Sequence, residues 1–198
     1  MTDIQFQSSI LSKQLTEHVE LIIENKELIV SGVQKIAQLA SDSLSRGGTI
    51  FWCGNGGSAA DSQHLAADLV CRFISDRIPL KSVALTTDSS ILTAISNDYS
   101  FDNIFARQLK ALGKDGDILI AISTSGNSRN IKEAVLTAKN IGVETIGLLG
   151  RDGGSSVDLF SKKLIIPSNS TARIQEVHIL IGHLIIDLIE KNLNLSNN

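Results

Sequence analysis

The pattern of apolar residues divides the chain into two parts at the glycine pair Gly47-Gly48. Before this pair, residues 3–46 contain no proline, and apolar residues recur at the three- and four-residue spacing of helices. The pattern predicts two helices, and we assign residues 1–46 to an N-terminal helical segment of the same domain. Its broad apolar stripes favour packing against other helices, either as a cap on the domain or as an oligomer interface.

After Gly48 the pattern changes to short apolar runs separated by helical stretches. Apolar runs without strict alternation indicate strands that are buried on both faces, as in a parallel sheet covered by helices. We therefore predict one α/β domain over residues 47–193, with a doubly wound five-stranded parallel sheet flanked by helices. The predicted strands are Thr49–Cys53, Ser82–Leu85, Ile118–Ile122, Thr145–Leu149 and Leu164–Ile166. The predicted helices cover residues 57–75, 89–96, 101–112, 128–141, 155–161 and 172–193. Residues 194–198 are expected to form a disordered tail.

Composition narrows the class of protein. The net charge is −3 and there is no cluster of Lys and Arg, which argues against a nucleic-acid-binding surface. No apolar stretch approaches the roughly 20 residues of a membrane span. The first ten residues lack the basic start and apolar run of a signal peptide. We therefore expect a cytoplasmic protein that binds neither nucleic acid nor membrane.

The loop after the first predicted strand is rich in glycine. It consists of Asn55, Gly56, Gly57 and Ser58, and it leads into a predicted helix. Glycine lets the backbone approach a ligand closely, and the start of a helix offers free N–H groups to an anion. The loop has neither the G-x-G-x-x-G spacing of dinucleotide-binding sites nor the lysine of a nucleotide P-loop. Many such turns serve packing only, so this loop alone is weak support for a binding site.

The loop after the third predicted strand carries a stronger signal. Residues 123–128 read S-T-S-G-N-S, and they again open a helix. Asn127 or Ser128 can cap that helix, but one cap leaves three other hydroxyl groups without a role. A cluster of neutral donors at a helix start suits a phosphate monoester. The predicted phosphate ligands in this loop are Ser123, Thr124, Ser125 and Ser128.

Two further pairs of polar residues lie on predicted helices. His64 and Asp68 are four residues apart after the first loop, so they project from the same face. Such a pair can be two metal ligands, a base with its partner, or simply a solvated face. Gln175 and His183 lie on the last helix, eight residues or about 12 Å apart along its axis. Since a metal ion holds its ligands at roughly 2 Å, a site shared between subunits is the easier way to use both.

Several segments together resemble a known family. The 123–128 loop and the segment C-G-N-G-G-S-A-A-D at 53–61 resemble the sugar isomerase (SIS) domain, which binds phosphosugars. L-T-T-D at 85–88, N-D-Y at 97–99 and T-A-R-I-Q-E at 171–176 are similar, more specifically, to phosphoheptose isomerases. The resemblance covers roughly residues 30 to 192, with the segments in the same order.

The resemblance implies an aldose–ketose isomerase that works through a cis-enediol. Its reaction converts sedoheptulose 7-phosphate to D-glycero-D-manno-heptose 7-phosphate, at the head of heptose biosynthesis for surface polysaccharide. It also implies a homotetramer with active sites between subunits. The substrate-binding residues that we expect are Asn55, Gly56, Gly57, Ser58, Arg72, Asn97, Asp98, Ser123, Thr124, Ser125, Ser128 and Gln175.

The resemblance further implies a zinc site formed by His64, Asp68, Gln175 and His183, in which Asp68 and His183 also serve as the acid and base. Asp68 departs from the family pattern, which has glutamate at this position. Because aspartate is one methylene shorter, its carboxylate is expected to fall about 1.3 to 1.5 Å short, and displacements near 1 Å can lower rates about a hundredfold.

Three alternatives remain open at this point. Some relatives with this fold are regulators that bind a replication initiator protein and tend to lose the metal-site residues. Here His64, Gln175 and His183 are all present, which favours the enzyme. A second alternative is an isomerase of another phosphosugar. A third is the phosphosugar-binding domain of a transcription factor, although we expect no DNA-binding segment before this domain.

Overall fold

Five strands form one parallel sheet in the computed structural model, which describes residues 3–195. They are β1 (Ile50–Gly54), β2 (Ser82–Ala84), β3 (Ile118–Ser123), β4 (Glu144–Gly150) and β5 (Lys162–Ile166). Their order in the sheet is β2-β1-β3-β4-β5, and every neighbouring pair is parallel. The chain therefore reverses its direction across the sheet between β1 and β3. At such a switch point the loops after the two strands diverge and leave a crevice for a ligand.

Residues 3–195 also form seven α-helices. They are α1 (Asp3–Glu24), α2 (Lys26–Ser45), α3 (Gly57–Val70), α4 (Ser89–Asp98), α5 (Ile104–Leu112), α6 (Arg129–Asn140) and α7 (Thr171–Asn192). Short 3-10 helices cover Phe101–Asn103 and Gly154–Leu159.

The three central strands β1, β3 and β4 are buried on both faces, as the uninterrupted apolar runs predicted. Along β1, Ile50 and Trp52 belong to a core cluster shared with α2, α3 and α7, whereas Phe51 and Cys53 belong to a second cluster shared with α5 and α6. The predicted doubly wound α/β domain is thereby confirmed, and each predicted strand lies within two residues of an observed one.

Three predicted helices differ from the structure. The helix predicted for residues 57–75 ends at Val70, because the backbone N–H groups of Phe73, Ile74 and Ser75 point to the Glu190 carboxylate instead of continuing the helical ladder. The segment 101–112 starts with a 3-10 turn, and the segment near 155–161 is a 3-10 helix. Of the predicted tail, residues 196–198 lie outside the described part of the chain, and Leu195 packs against the core.

The first helix leaves much of its apolar surface uncovered. Its C-terminal turns pack Leu21 and Ile22 against the core. Further toward the N-terminus it meets α7 through polar contacts, such as His18 Nδ1 to Glu176 Oε2 at 2.8 Å. The exposed apolar side chains of α1 are Ile4, Phe6, Ile10, Leu11, Leu15, Val19 and Ile23.

None of the helices that the structure describes combines the length and the apolar character needed to cross a lipid bilayer.

Candidate active site

The loops after β1 and β3 meet at the switch point of the sheet and enclose a small polar cavity of about 50 Å³. The cavity is large enough for a small group, and its lining of hydroxyl and amide side chains suits a polar one. We call it the cradle. Six of its lining residues were predicted from the sequence as substrate ligands, and Ile122 is the seventh. The six are Asn55, Ser58, Ser123, Thr124, Ser125 and Ser128.

The hydroxyl groups of the cradle are only partly used by the protein itself. Ser123 Oγ accepts a hydrogen bond from Gly126 N at 3.0 Å, and Ser125 Oγ accepts one from Asn127 N at 3.2 Å. Ser128 is the N-cap residue of α6 by position, but its side chain makes no capping hydrogen bond. The simple explanation of Ser128 as a helix cap therefore does not hold, and its hydroxyl is available to a ligand.

A pair of asparagines joins the two loops, and sequence reasoning missed one of them. Asn55 Nδ2 donates to Asn130 Oδ1 at 2.9 Å, and Asn130 Nδ2 donates to Asn55 Oδ1 at 2.8 Å. Asn130 is 2% exposed and lies on the first turn of α6. Its signal in the sequence was a polar residue on the face of α6 that also carries the apolar Ile131, Ala134 and Val135.

Three ionisable side chains converge further along α3. His64 Nε2 lies 3.6 Å from Asp68 Oδ2, His183 Nε2 lies 3.7 Å from the same oxygen, and the two imidazole nitrogens are 3.4 Å apart. His183 comes from α7, which approaches α3 closely where Gly182 faces Leu65. The ring of Phe73 stacks on His183, with ring centroids 5.4 Å apart. We call His64, Asp68 and His183 the triad.

The triad fits a tetrahedral metal ion. A zinc ion bound at about 2.0–2.1 Å would separate any two of its ligand atoms by about 3.3–3.4 Å. The three observed separations, 3.4, 3.6 and 3.7 Å, are close to that value. In addition, Asp68 Oδ2 is buried and has no hydrogen-bond partner among the described residues. Asp68 Oδ2 thus lies close enough to both imidazoles to share a metal ion with them.

The electrostatics of the triad favour a neutral His183. Burial lowers the pKa of this imidazole, and the nearby His64 lowers it further, although the Asp68 carboxylate acts in the opposite direction. A neutral imidazole keeps a lone pair for a metal ion or a proton. One turn before His64, burial raises the pKa of Asp61, and its Oδ2 atom is also buried with no hydrogen-bond partner in residues 3–195. Sequence reasoning gave Asp61 no role.

The remaining predicted residues are not gathered in the cradle or the triad of a single chain. Gln175 lies beside Gly57, where an added Cβ would come within 1.9 Å of Gln175 Nε2, at the cradle end of α3. Gly56 forms the N-cap of α3, and neither it nor Gly57 lines the cradle. Asn97 and Asp98 are the last two residues of α4, and both are exposed. Asn97 Nδ2 donates to Asp98 Oδ1 at 2.9 Å.

The position of Arg72 differs from the one that the predicted helix implies. A helix over residues 57–75 would place Arg72 one turn beyond Asp68, on the same face. Because α3 ends at Val70, Arg72 instead lies in the exposed segment that follows, and its direction is not set by helical spacing.

His178 is a core histidine. It is fully buried on α7, and its Nε2 lies 3.1 Å from the carbonyl oxygen of Leu149. Burial lowers its pKa to about 4, against a small opposing effect of the Leu149 hydrogen bond.

We expect His178 to make folding sensitive to acid. Below about pH 6.5 the unfolded chain binds a proton at this imidazole and the folded chain does not, so stability falls as the pH drops from 6.5 toward 4. The difference corresponds to about 3 kcal/mol at most. Urea unfolding at several pH values, with the His178→Gln variant in parallel, measures this contribution. The variant should lose less stability over that range, and an equal loss in both proteins would contradict the assignment.

Comparison with known proteins identifies the family of this chain. A family model described as the SIS domain matches residues 13–150. The chain is 49% identical to the phosphoheptose isomerase of Paramagnetospirillum magneticum over 183 residues, which is 92% of this chain and 95% of the relative. It is 54% identical to the phosphoheptose isomerase of Geobacter sulfurreducens over 173 residues, which is 87% and 92% of the two chains.

Solved structures give the same result. The phosphoheptose isomerase GmhA from Neisseria gonorrhoeae superposes with a TM-score of 0.89 at 42% identity, covering 93% of this chain and 99% of the other. A phosphoheptose isomerase from Francisella tularensis also superposes with a TM-score of 0.89, at 35% identity, covering 96% and 100%. The match extends over sequence and fold alike, and the chain therefore belongs to the phosphoheptose isomerase family of SIS-domain proteins.

Proposed function

We propose that this protein is an aldose–ketose isomerase that converts sedoheptulose 7-phosphate to D-glycero-D-manno-heptose 7-phosphate in the cytoplasm. The observation that carries the proposal is that α3 contributes to both sites, with Ser58 in the cradle and with His64 and Asp68 in the triad. Ser58, in the cradle, precedes His64 by six residues, or about 9 Å along the axis of α3. A phosphosugar whose phosphate enters the cradle would therefore extend its chain toward the triad.

The cradle supplies binding and positioning. Its donors are neutral, so a phosphate dianion would be held by hydroxyl groups and by N–H groups at the starts of α3 and α6. These contacts are far from the reacting carbons, and their binding energy can fix the carbonyl end of the sugar against the triad. We assign the phosphate to Ser58, Ser123, Thr124, Ser125 and Ser128.

The triad supplies proton transfer. Isomerisation moves a proton between C1 and C2 through a cis-enediol, and it needs a base at carbon and a carrier for the protons on oxygen. We assign the transfer at carbon to the carboxylate of Asp68. We assign the transfers at oxygen to His183, whose lowered pKa keeps the imidazole neutral and able to accept a proton.

We propose His64, Asp68 and His183 as zinc ligands, with Gln175 as a fourth in a site shared between subunits, since Gln175 of the same chain lies beside Gly57. Bound zinc would polarise the carbonyl and hydroxyl oxygens of the sugar and so favour the enediol. The carboxylate of Asp68 has two oxygens, which lets Oδ2 face the metal while the other oxygen serves the substrate.

We further propose a homotetramer with active sites between subunits. Two features of the single chain support this arrangement. The apolar side chains along α1 are exposed, and Arg72, Asn97 and Asp98 do not line the cradle of their own chain. Residues 1–46 would then serve mainly as an assembly segment, and residues 47–193 as the phosphosugar-binding part.

The direct test is an NMR assay of the zinc-loaded protein with sedoheptulose 7-phosphate. We expect heptose 7-phosphate to form at a rate typical of enzymes, about 1–10³ s⁻¹, because all residues that the proposed mechanism uses are present. Unphosphorylated sedoheptulose should turn over far more slowly, since it cannot use the cradle. Turnover of a pentose or hexose phosphate instead would reject the seven-carbon substrate. No turnover of any phosphosugar by the folded, zinc-loaded protein would reject the enzyme and favour a regulator.

A further inference from the structure

A buried ion pair lies directly behind the triad. Arg77 Nε donates to Glu190 Oε1 at 2.6 Å, and the two side chains are 1% and 2% exposed. Buried charges are costly unless each is fully paired, so such a pair calls for an explanation. The proposed reaction uses neither residue, but both are bonded to segments that carry the triad.

Arg77 holds the end of α3 where Asp68 lies. Its Nη2 donates to the carbonyl oxygen of Asp68 at 2.8 Å, and its Nη1 donates to the carbonyl oxygen of Leu69 at 2.9 Å. Carbonyl groups in the last turn of a helix have no partners within the helix, so the guanidinium takes the place of a C-cap. The backbone of Asp68 is therefore fixed by the same residue that pairs with Glu190.

Glu190 holds the segment that packs on His183. Its carboxylate accepts hydrogen bonds from the N–H groups of Phe73, Ile74 and Ser75, at 3.2, 3.4 and 3.3 Å. The Phe73 ring stacks on His183 at an interplanar angle of 16°. Burial alone would raise the pKa of Glu190, but Arg77 and the backbone N–H groups of residues 75 and 73 keep it below its usual value, so the carboxylate stays ionised.

From these contacts we infer that Arg77 and Glu190 are positioning residues for the triad, fixing Asp68 through its carbonyl group and His183 through Phe73. The inference rests on the proposed function, because it takes the triad to be a metal site. Glu190 lies on α7, seven residues beyond His183, and Arg77 bonds to the end of α3, which supplies the other two triad residues. Mutation of residues that orient metal ligands typically lowers metal affinity 10- to 100-fold.

The test measures zinc affinity, by competition with a chromogenic chelator, for the wild type and for the Arg77→Lys and Glu190→Gln variants. Lysine keeps the charge, but its single ammonium group cannot bridge a carboxylate and two separate carbonyl groups in the fixed geometry of a guanidinium. We expect both variants to bind zinc 10- to 100-fold more weakly. With cobalt in place of zinc, the visible spectrum should also change, because the arrangement of the ligands is altered.

Val135→Ala is the matched control. Val135 is fully buried on α6, in the core cluster on the opposite face of the sheet, so this variant loses stability without touching α3 or α7. Its zinc affinity should equal that of the wild type. Equal affinity in all the proteins would overturn the inference, as would an equal loss in the Val135→Ala variant. A wild type that binds no zinc would instead reject the proposed metal site itself.

Hydrogen exchange of the wild type provides a measurement that needs no variant. If the ion pair couples the triad to residues 73–75, zinc binding should slow amide exchange in that segment. The reason is that zinc binding and the local opening of the segment are then linked equilibria. Unchanged exchange at residues 73–75, while zinc is bound, would contradict the coupling even if neither variant folds.

Discussion

Replacing Asp68 with asparagine should lower kcat by about 10³- to 10⁴-fold. Asparagine has nearly the same shape, but it has lost the charge and the basicity that proton abstraction requires, and loss of a general base typically lowers rates by about 10²- to 10⁴-fold. We place the effect at the upper end of that range because Asp68 Oδ2 is also the buried, unpartnered oxygen that faces both histidines. Steady-state kinetics with sedoheptulose 7-phosphate measures kcat, and a chelator competition measures zinc affinity.

Two further variants test whether the loss of kcat is specific to position 68 and to the removal of its charge. Asp42→Asn changes another partly buried aspartate, which lies on α2 and accepts a hydrogen bond from Gln38, and it should leave kcat unchanged. Asp68→Glu keeps the charge and lengthens the side chain, so its loss should not exceed about a hundredfold. A kcat near the wild-type value in the folded Asp68→Asn variant would remove Asp68 from the mechanism.

The fold was predictable because its signals are local. Each strand is a short apolar run, and a strand buried on both faces needs no alternation, so β1, β3 and β4 were recognisable from the sequence. The end of α3 was not predictable in this way. The residues after Val70 include no proline or glycine before Pro79, and what stops the helix is Glu190, which is more than a hundred residues away.

The candidate site shows the same difference between local signals and contacts across the chain. Within one element, the spacing of residues was sufficient to predict which of them lie together. The 123–128 loop identified the cradle, and the four-residue interval between His64 and Asp68 placed both on one face. Contacts between elements were not visible. His183 reaches the triad only because α7 packs on α3, and Asn130 bonds to Asn55 across 75 residues of sequence. The resemblance to a family, rather than any spacing, supplied the role of His183.

The case of Arg77 shows why some residues that affect a site escape a sequence reading. An arginine in a polar segment ordinarily indicates a solvated surface position. Here it is buried, because the carboxylate of Glu190 and the carbonyl groups at the end of α3 leave a polar recess that only a guanidinium can satisfy in full. The Glu190 carboxylate and the end of α3 are far apart in the sequence, so the sequence alone does not show that they form one recess.

Replacing Gly126 with alanine should disable the cradle and destabilise the protein. Gly126 has φ +64, a conformation that costs other residues about 1–2 kcal/mol. An added Cβ would also lie 1.9 Å from the carbonyl oxygen of Gly153, which is backbone and cannot rotate away. Overpacking of this kind typically costs about 1–3 kcal/mol, so we expect a total loss of about 2–5 kcal/mol, measured by urea unfolding. Because Gly126 N bonds to Ser123 Oγ, the loop should shift and KM should rise at least tenfold.

The Gly116→Ala variant separates the cost of the positive φ from the cost of the close contact with Gly153. Gly116 also has a positive φ, +86, but an added Cβ there would meet no atom within 4 Å. This variant should therefore lose only the conformational part, about 1–2 kcal/mol, and keep the wild-type KM. If Gly126→Ala lost no more stability than Gly116→Ala and kept the wild-type KM, the close contact between residues 126 and 153 would not be what shapes the cradle. The phosphate would then have to be held mainly by the loop after β1, where Ser58 and the start of α3 supply the donors.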